Sequence, residues 1–455
     1  MTTLTLLTLA FVAYGVISSH GYGRMLALGG ATPAGAAAVV GGTAVPTFYA
    51  VAIGAAVAVA LRLVERSRIA PHSAEPLPPG SPFLLLFLAW STLVTIVSPI
   101  VFNGTTVLLP AVKGPSHLVA GVLTTSNIAQ IGYLVLGVCV VIYLARSTSA
   151  GPELIGLAAG ATTILSLWRY LHALVSVPFP ENVFDNSPTF AYIETAVGGA
   201  ERFRGILSEP ASLALSSLVT IAYMLPRAAH VRGLRRAGAL FVAAAAAYLG
   251  TISTSATFVV GGAVMALVAA ATFAGGFLLR RIRVSASVGV VMCLLLIVSL
   301  FVLPVVAGFA DAAVNEKASS SSFDERSGAN STSYEIFLDT YGIGVGLGAN
   351  RASSFLAGLL STTGLVGTLL FASAVVLLIR RGAPVREFRP VAWALVTLLV
   401  VKVVSGPDLS DSSGILWMSL GLLARAASLA GGSGGPAVGT PGREHVVTLG
   451  TNRVT

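Results

Sequence analysis

Charge is scarce in this chain. Of its 455 residues only 10% are charged, against 55% hydrophobic, and the mean hydropathy is +0.87. Soluble domains carry roughly a quarter charged residues, and no segment here is polar and long enough to form one. Cysteine is nearly absent. Cys139 and Cys293 each lie inside an apolar run, which excludes a disulfide framework and leaves the redox compartment unread. Histidine is also sparse, at six. With no Cys/His cluster and no dense set of carboxylates, neither a metal site nor a cofactor is expected. The first apolar stretch has no Lys or Arg before it and no small-residue cleavage site. It reads as a membrane helix from Leu4 to Ser18, not as a cleavable leader.

What the chain does have is apolar runs of roughly twenty residues, the length that crosses a hydrocarbon core. They fall at about 4–18, 25–42, 46–63, 82–101, 123–145, 153–176, 207–226, 237–251, 256–279, 284–308, 353–379, 390–405 and 412–428. The second is rich in Gly and Ala and weakly apolar, so twelve or thirteen spans are expected. The predicted fold is an all-α integral membrane protein, a polytopic bundle with two long extracytoplasmic loops near 177–206 and 309–352. Residues 1–430 form one membrane domain, and 431–455, rich in Gly, Pro and Thr, form a disordered cytoplasmic tail.

The net charge of +9 follows from topology. Arg62, Arg66 and Arg68, then Arg146, then Arg227, Arg232, Arg235 and Arg236, then Arg280, Arg281 and Arg283, and finally Arg380, Arg381, Arg386 and Arg389 fall on alternate connections. The positive-inside rule makes that side cytoplasmic. Arginines facing anionic headgroups account for the basicity, so no nucleic-acid partner is implied.

The opposite face holds most of the acidic residues, among them Glu181, Asp185, Glu194, Glu201, Asp311, Glu316, Asp324, Glu325, Glu335 and Asp339. Solvated loop surface explains most of these. Arg202, Arg204, Arg326 and Arg351 lie on the side that disfavours basic residues. As a group they suit an anionic ligand, because a guanidinium offers phosphate a planar, bidentate fork. Pairing of Arg202 with Glu201, or of Arg326 with Glu325, is the plain alternative.

Local sequence adds to this. Arg202-Phe-Arg204-Gly-Ile-Leu-Ser208-Glu209-Pro210-Ala-Ser212 opens a membrane helix. Ser208 suits the N-cap and Pro210 the first turn, and the exposed N–H groups there favour an anion. Glu209 at this end is a proton acceptor, a helix-end stabiliser or a partner for Arg204. The run Gly342-Ile-Gly344-Val-Gly346-Leu-Gly348 before Arg351 permits close backbone approach to a phosphate, or forms a flexible loop re-entering the membrane. The hydroxyls of Thr251 to Ser255 are expected to cap two helices. Lys402, inside an apolar span, is either functional or half of a structural pair with Asp408.

Three stretches together resemble the O-antigen polymerase and ligase superfamily, the Wzy-like glycan polymerases of bacterial envelopes. They are Arg202-x-Arg204-Gly-x-x-Ser208-Glu209-Pro210-x-Ser212; Glu325-Arg326 with Phe337 to Gly348; and Ser353-Ser354-Phe355-Leu356 with Gly364-Leu365-Val366-Gly367. The resemblance covers roughly residues 80 to 430. It implies an enzyme of the bacterial cytoplasmic membrane that needs no metal and takes a polyprenyl-diphosphate-linked oligosaccharide as donor. An acceptor hydroxyl would attack the anomeric carbon and expel the lipid diphosphate. Arg202, Arg204, Arg326, Arg351, Gly346 and Gly348 would hold the diphosphate, and Glu209 or His172 would take the proton. Membrane lipid and other polysaccharide assembly and export proteins are the implied partners. Ligases of this superfamily typically use a histidine in the large outer loop, and neither long loop here has one, which favours a polymerase. The turn at Ser253 often carries a basic residue in relatives and here runs into Ala256. Ligase-like transfer to another acceptor, a lipid-linked oligosaccharide flippase without chemistry, and a structural component of an export complex are the other readings.

Overall fold

The computed structural model describes residues 2–17, 21–32, 36–40, 43–69, 76–109, 114–187, 202–280, 321–406 and 408–432. It is mostly helical. Chain order is α1 (Thr3–Ile17), α2 (Tyr22–Gly30), β1 (Ala37–Val40), β2 (Thr43–Pro46), α3 (Thr47–Ile69), α4 (Ser81–Val101), β3 (Thr106–Val107), β4 (Ser116–His117), α5 (Thr125–Arg146), α6 (Glu153–Val175) and α7 (Glu181–Phe184). Then come α8 (Pro210–Ala228), α9 (Leu234–Ile252), α10 (Ala256–Arg280), α11 (Ser321–Asp339), α12 (Phe355–Gly382), α13 (Arg389–Val404) and α14 (Ile415–Gly432).

Six helices among the described residues are long and apolar enough to cross a membrane: α3, α4, α5, α6, α8 and α12. Three shorter apolar helices, within α1, α10 and α14, accompany them. The protein is therefore a helical membrane protein; twelve or thirteen spans were expected, and six qualify on length and composition among the described residues. The expected span at 25–42 is not a helix throughout. Its Gly/Ala-rich sequence yields the nine-residue α2 and then an antiparallel hairpin in which Ala37 pairs with Pro46 and Val40 with Thr43. Glycine and β-branched valine weaken a helix there. The expected span at 284–308 and the tail beyond 432 lie outside the described residues.

The core is built where α3, α5 and α14 meet, flanked by α4, α6, α8, α12 and α13. Trp417 is fully buried, its indole edge against Gly137, and its Nε1 donates to the Tyr49 hydroxyl at 3.1 Å. Tyr49 stacks on Tyr133 at 4.4 Å. The arginine-bearing ends converge. Arg62 lies over the Tyr143 ring, Arg425 donates to Ser147 O and Thr148 O, and Tyr223, one turn before Arg227, donates to Pro152 O.

The second long outer segment is not a loop throughout. Residues 321–339 form α11, which sequence periodicity concealed because polar residues outnumber apolar ones along it. Its buried Ile336 packs with Val107, Leu118 and Val345. Asn330 Oδ1 accepts from the N–H groups of Ser353 and Ser354 at 3.0 Å, which ties α11 to the start of α12.

The glycine run then turns into the bundle. Gly364 breaks α12 with φ 67° and ψ −169°. Nine residues after Phe355, the break is about 14 Å from the helix start, near half of a ~30 Å hydrocarbon layer. A break there frees carbonyls that lipid cannot satisfy. The inserted chain satisfies them: Val345 N–H donates to Ser361 O at 2.8 Å and Gly346 N–H to Thr362 O at 2.9 Å. Trp90 Nε1 donates to Thr363 O at 2.8 Å, and Leu365 N–H donates to Gly342 O at 2.9 Å. Ser98 and Asn127 complete the seat by donating to Gly344 O and Leu347 O. A Cβ on Gly346 would stand 2.5 Å from Thr95 Cα, and one on Gly348 would stand 2.7 Å from the Ser126 carbonyl. Gly346 also has φ +92°. Gly346→Ala is expected to destabilise the protein by about 2–4 kcal/mol, from left-handed strain plus a clash with backbone. Thermal unfolding in detergent, compared with Gly328→Ala, whose added Cβ meets nothing, checks it.

Candidate functional site

The end opposite the arginine-rich one gathers the segments around 176–187, 202–209, 253–255, 326–330 and 350–354. α8 begins here. Its N-cap is Glu209, with Pro210 at the first helical position, one residue later than the Ser208 cap expected from sequence. The Glu209 carboxylate accepts from Ser212 Oγ at 3.3 Å and makes no cap bond to backbone. Glu209 is half-buried, so its carboxylate stays at the positive end of the helix dipole.

Arg202 and Arg326 come from the two separate outer segments and lie within electrostatic range of each other. Burial and the Arg326 cation push the Arg202 guanidinium below its ordinary value, and Glu209 pulls it back up. Arg202 reaches Thr254 O at 3.5 Å, and its Nε is buried with no hydrogen-bond partner among the described residues. Arg326 is exposed. The alternative carboxylate partners, Glu201 and Glu325, have side chains outside the described residues.

Arg204 is engaged elsewhere. It is 4% exposed, and its guanidinium grips Asp185 through both oxygens at 3.1 and 2.6 Å while donating to Leu207 O at 2.8 Å. Arg169 on α6 grips the same carboxylate at 3.0 and 2.9 Å. This bridge, not an outer ligand, explains a buried arginine on this side. Burial raises the Asp185 carboxyl, but the hydrogen bonds from Arg204 and Arg169 outweigh that and hold it below the usual carboxylate range. Gly205, at φ +60°, lets the chain turn against Ser166, whose Oγ accepts from Ile206 N–H at 3.3 Å.

Gly346 and Gly348 also serve packing. The Gly346 N–H is spent on Thr362 O, and both glycines are wedged against backbone, so they form no phosphate cradle. Arg351 is exposed, and its N–H donates to Leu108 O at 2.8 Å. Its neighbour Asn350 is buried, bonded to Ser333, Ser361 and Leu108. The re-entering segment is thus firmly held, in contrast to the flexible loop that was one expectation.

His172 lies in the last turn of α6. It lies in a groove of about 450 Å³ with Phe179, Pro180, Glu181, Asn182 and Val183. Its Nδ1 is 2.7 Å from Val177 O, and its Nε2 is 3.9 Å from Glu181 Oε1. The turn at 251–255 caps as expected: Ser253 Oγ donates to Gly250 O, and Thr257 N–H donates to Ser255 Oγ. Lys402 is 4% exposed and forms a structural pair, though with Asp411 instead of Asp408. Its Nζ donates to Asp408 O at 2.8 Å and lies 3.9 Å from Asp411 Oδ1. Asp411 in turn accepts from Leu416 N–H at 2.7 Å at the start of α14. Among the described residues no group of three His, Cys, Asp or Glu side chains is placed to hold a metal.

Sequence reasoning missed Arg169, Asp185 as its partner, and Asn330. The available signal for Arg169 was an arginine inside an apolar span. Asn330 carried none.

No protein-family model matches the chain, and no curated protein matches it.

Asp185→Asn removes the carboxylate charge that both Arg169 and Arg204 bind. It is expected to cost about 2–3 kcal/mol, below the fully buried case because Asp185 retains some exposure. The carboxyl is depressed in the fold, so its contribution is present above the unfolded value near pH ~4 and is lost as pH falls through the lower folded value. Unfolding midpoints in detergent check it: the wild type leads Asp185→Asn near neutral pH, and that lead shrinks as pH falls through the lowered folded value.

Proposed function

We propose that the chain is a multi-pass glycosyltransferase of a bacterial cytoplasmic membrane that polymerises polyprenyl-diphosphate-linked oligosaccharide repeat units at the outer face. One observation supports this reading above the rest. Arg202 and Arg326, from two distant segments, lie within electrostatic range beside Glu209 at the start of α8. Two like charges held together are costly unless an anion joins them, and the Arg202 Nε is already a donor in want of an acceptor.

In the reaction, the acceptor hydroxyl oxygen attacks the anomeric carbon of the donor sugar. A new C–O bond forms, the C–O bond to the lipid diphosphate breaks, and the hydroxyl proton passes to the Glu209 carboxylate. The leaving diphosphate gains negative charge, which Arg202, Arg326 and the N–H groups of the first turn of α8 stabilise. Arg204 contributes by fixing the segment that carries Arg202, through Asp185. Arg351 stands at the same end, at the entry to α12. The product glycan, capsular, O-antigen-like or exported, stays on the lipid for other assembly and export proteins.

One observation favours the flippase reading. α12 is discontinuous at Gly364, and transporters place ion and substrate sites at such breaks. Here Ser361, Thr362 and Thr363 each give their carbonyl to a protein donor, which leaves the transferase reading the better supported.

Reconstituted protein supplied with the lipid-linked oligosaccharide, without nucleotide sugar, is expected to yield a ladder of longer glycans. Arg202→Ala and Arg326→Ala are each expected to slow elongation about 10²–10³-fold, and Glu209→Gln about 10²–10⁴-fold. Movement of the lipid across the vesicle without elongation would establish the flippase in its place.

A further inference from the structure

We propose that the groove beside His172 is a saccharide subsite that seats one neutral pyranose of the acceptor glycan. This deepens the transferase reading and rests on it for the role of the bound sugar, though not for the binding itself.

The groove's volume of about 450 Å³ falls within the roughly 300–1,000 Å³ of small-molecule sites. Its polar groups suit hydroxyls. His172 Nδ1 faces the Val177 carbonyl at 2.7 Å and donates to it, which leaves Nε2 to bond a ligand hydroxyl. Glu181 Oε1 is 3.9 Å from that nitrogen, too far for a hydrogen bond between them. The Asn182 side chain is exposed and offers both a donor and an acceptor. A sugar hydroxyl both donates and accepts, so it can bridge the spacing between Nε2 and Glu181. Phe179, Pro180 and Val183 supply an apolar wall.

The charge balance selects against other ligands. Glu181 disfavours a phosphate. Arg169, paired with Asp185, lies 5.8 Å from the Phe179 ring centre and occupies one face of that ring, which is then not open to a second cation. A neutral polyol fits both.

The groove is also built in advance. Trp168 Nε1 donates to Pro178 O at 3.0 Å, and Ser176 turns the chain at φ 56° with its N–H on His172 O. Asp185 is gripped by two arginines, and the Asn186 amide pairs with both backbone groups of Ala37 at 2.9 Å. A wall fixed at both ends loses little conformational freedom on binding. Glu181 and Asn182 stand between these anchors with their polar atoms outward.

The test uses full-length protein in nanodiscs on a printed array of neutral and acidic bacterial oligosaccharides. Wild type is expected to bind a subset of neutral glycans. Glu181→Gln and Asn182→Ala are each expected to weaken that binding at least tenfold while keeping the wild-type unfolding midpoint, and Arg202→Ala to leave it unchanged. No glycan bound by the wild type, or binding unaltered in both groove variants, would overturn the proposal. The two readings fail separately. Groove-dependent binding without elongation of the lipid-linked donor removes the polymerase and keeps the subsite. Elongation whose acceptor KM is untouched by both groove variants removes the subsite and keeps the polymerase.

Discussion

A peptide group in hydrocarbon has no water to bond with, and this governs the outer half of the bundle. The break in α12 exposes carbonyls near mid-depth, and the only available donors are other parts of the protein. The segment from Gly342 to Asn350 supplies two of them from its own backbone, and Trp90 supplies a third. Backbone can meet backbone this closely only where side chains are missing, which is why glycine occupies alternate positions. Once seated, the segment positions Asn350 under α11 and Arg351 at the entry to α12. The placement of Arg326 follows, because α11 is tied to that entry through Asn330.

A second constraint acts across the bundle, at the end of α6. Asp185 is shared by Arg169 and Arg204, so one carboxylate joins a helix, a one-turn segment and the approach to α8. Two guanidiniums grip that carboxylate close to the segment that carries Arg202. The same bridge fixes the far wall of the His172 groove. The segment that carries Arg202 and the groove are therefore organised by a shared ionic contact.

Much of the fold was legible. Spans such as 82–101, 123–145 and 153–176 match α4, α5 and α6 to within two residues, because length and apolarity alone define a crossing. The hairpin at 37–46 was not legible, since a Gly/Ala-rich run reads as weak helix until its partners are known. α11 was hidden for the opposite reason: its polar residues bond to neighbouring segments, so it shows no apolar stripe. At the candidate site, charge alone singled out the arginines but not the different surroundings they take up. Arg204 and Arg202 are two residues apart, and only the position of Asp185 in space separates the buried clamp from the residue with a free donor.

The Asn186 amide closes against Ala37 as a neighbouring strand would, yet the two are 149 residues apart in the chain. At synthesis rates of about 5–20 residues per second, Ala37 is made some 7–30 s before its partner. During that interval Thr5 already serves both backbone groups of Val39, and water must stand in at Ala37 alone. The pairing of Ala37 is therefore timed by the arrival of the segment just after α7, before α8 and the helices that follow it have been made.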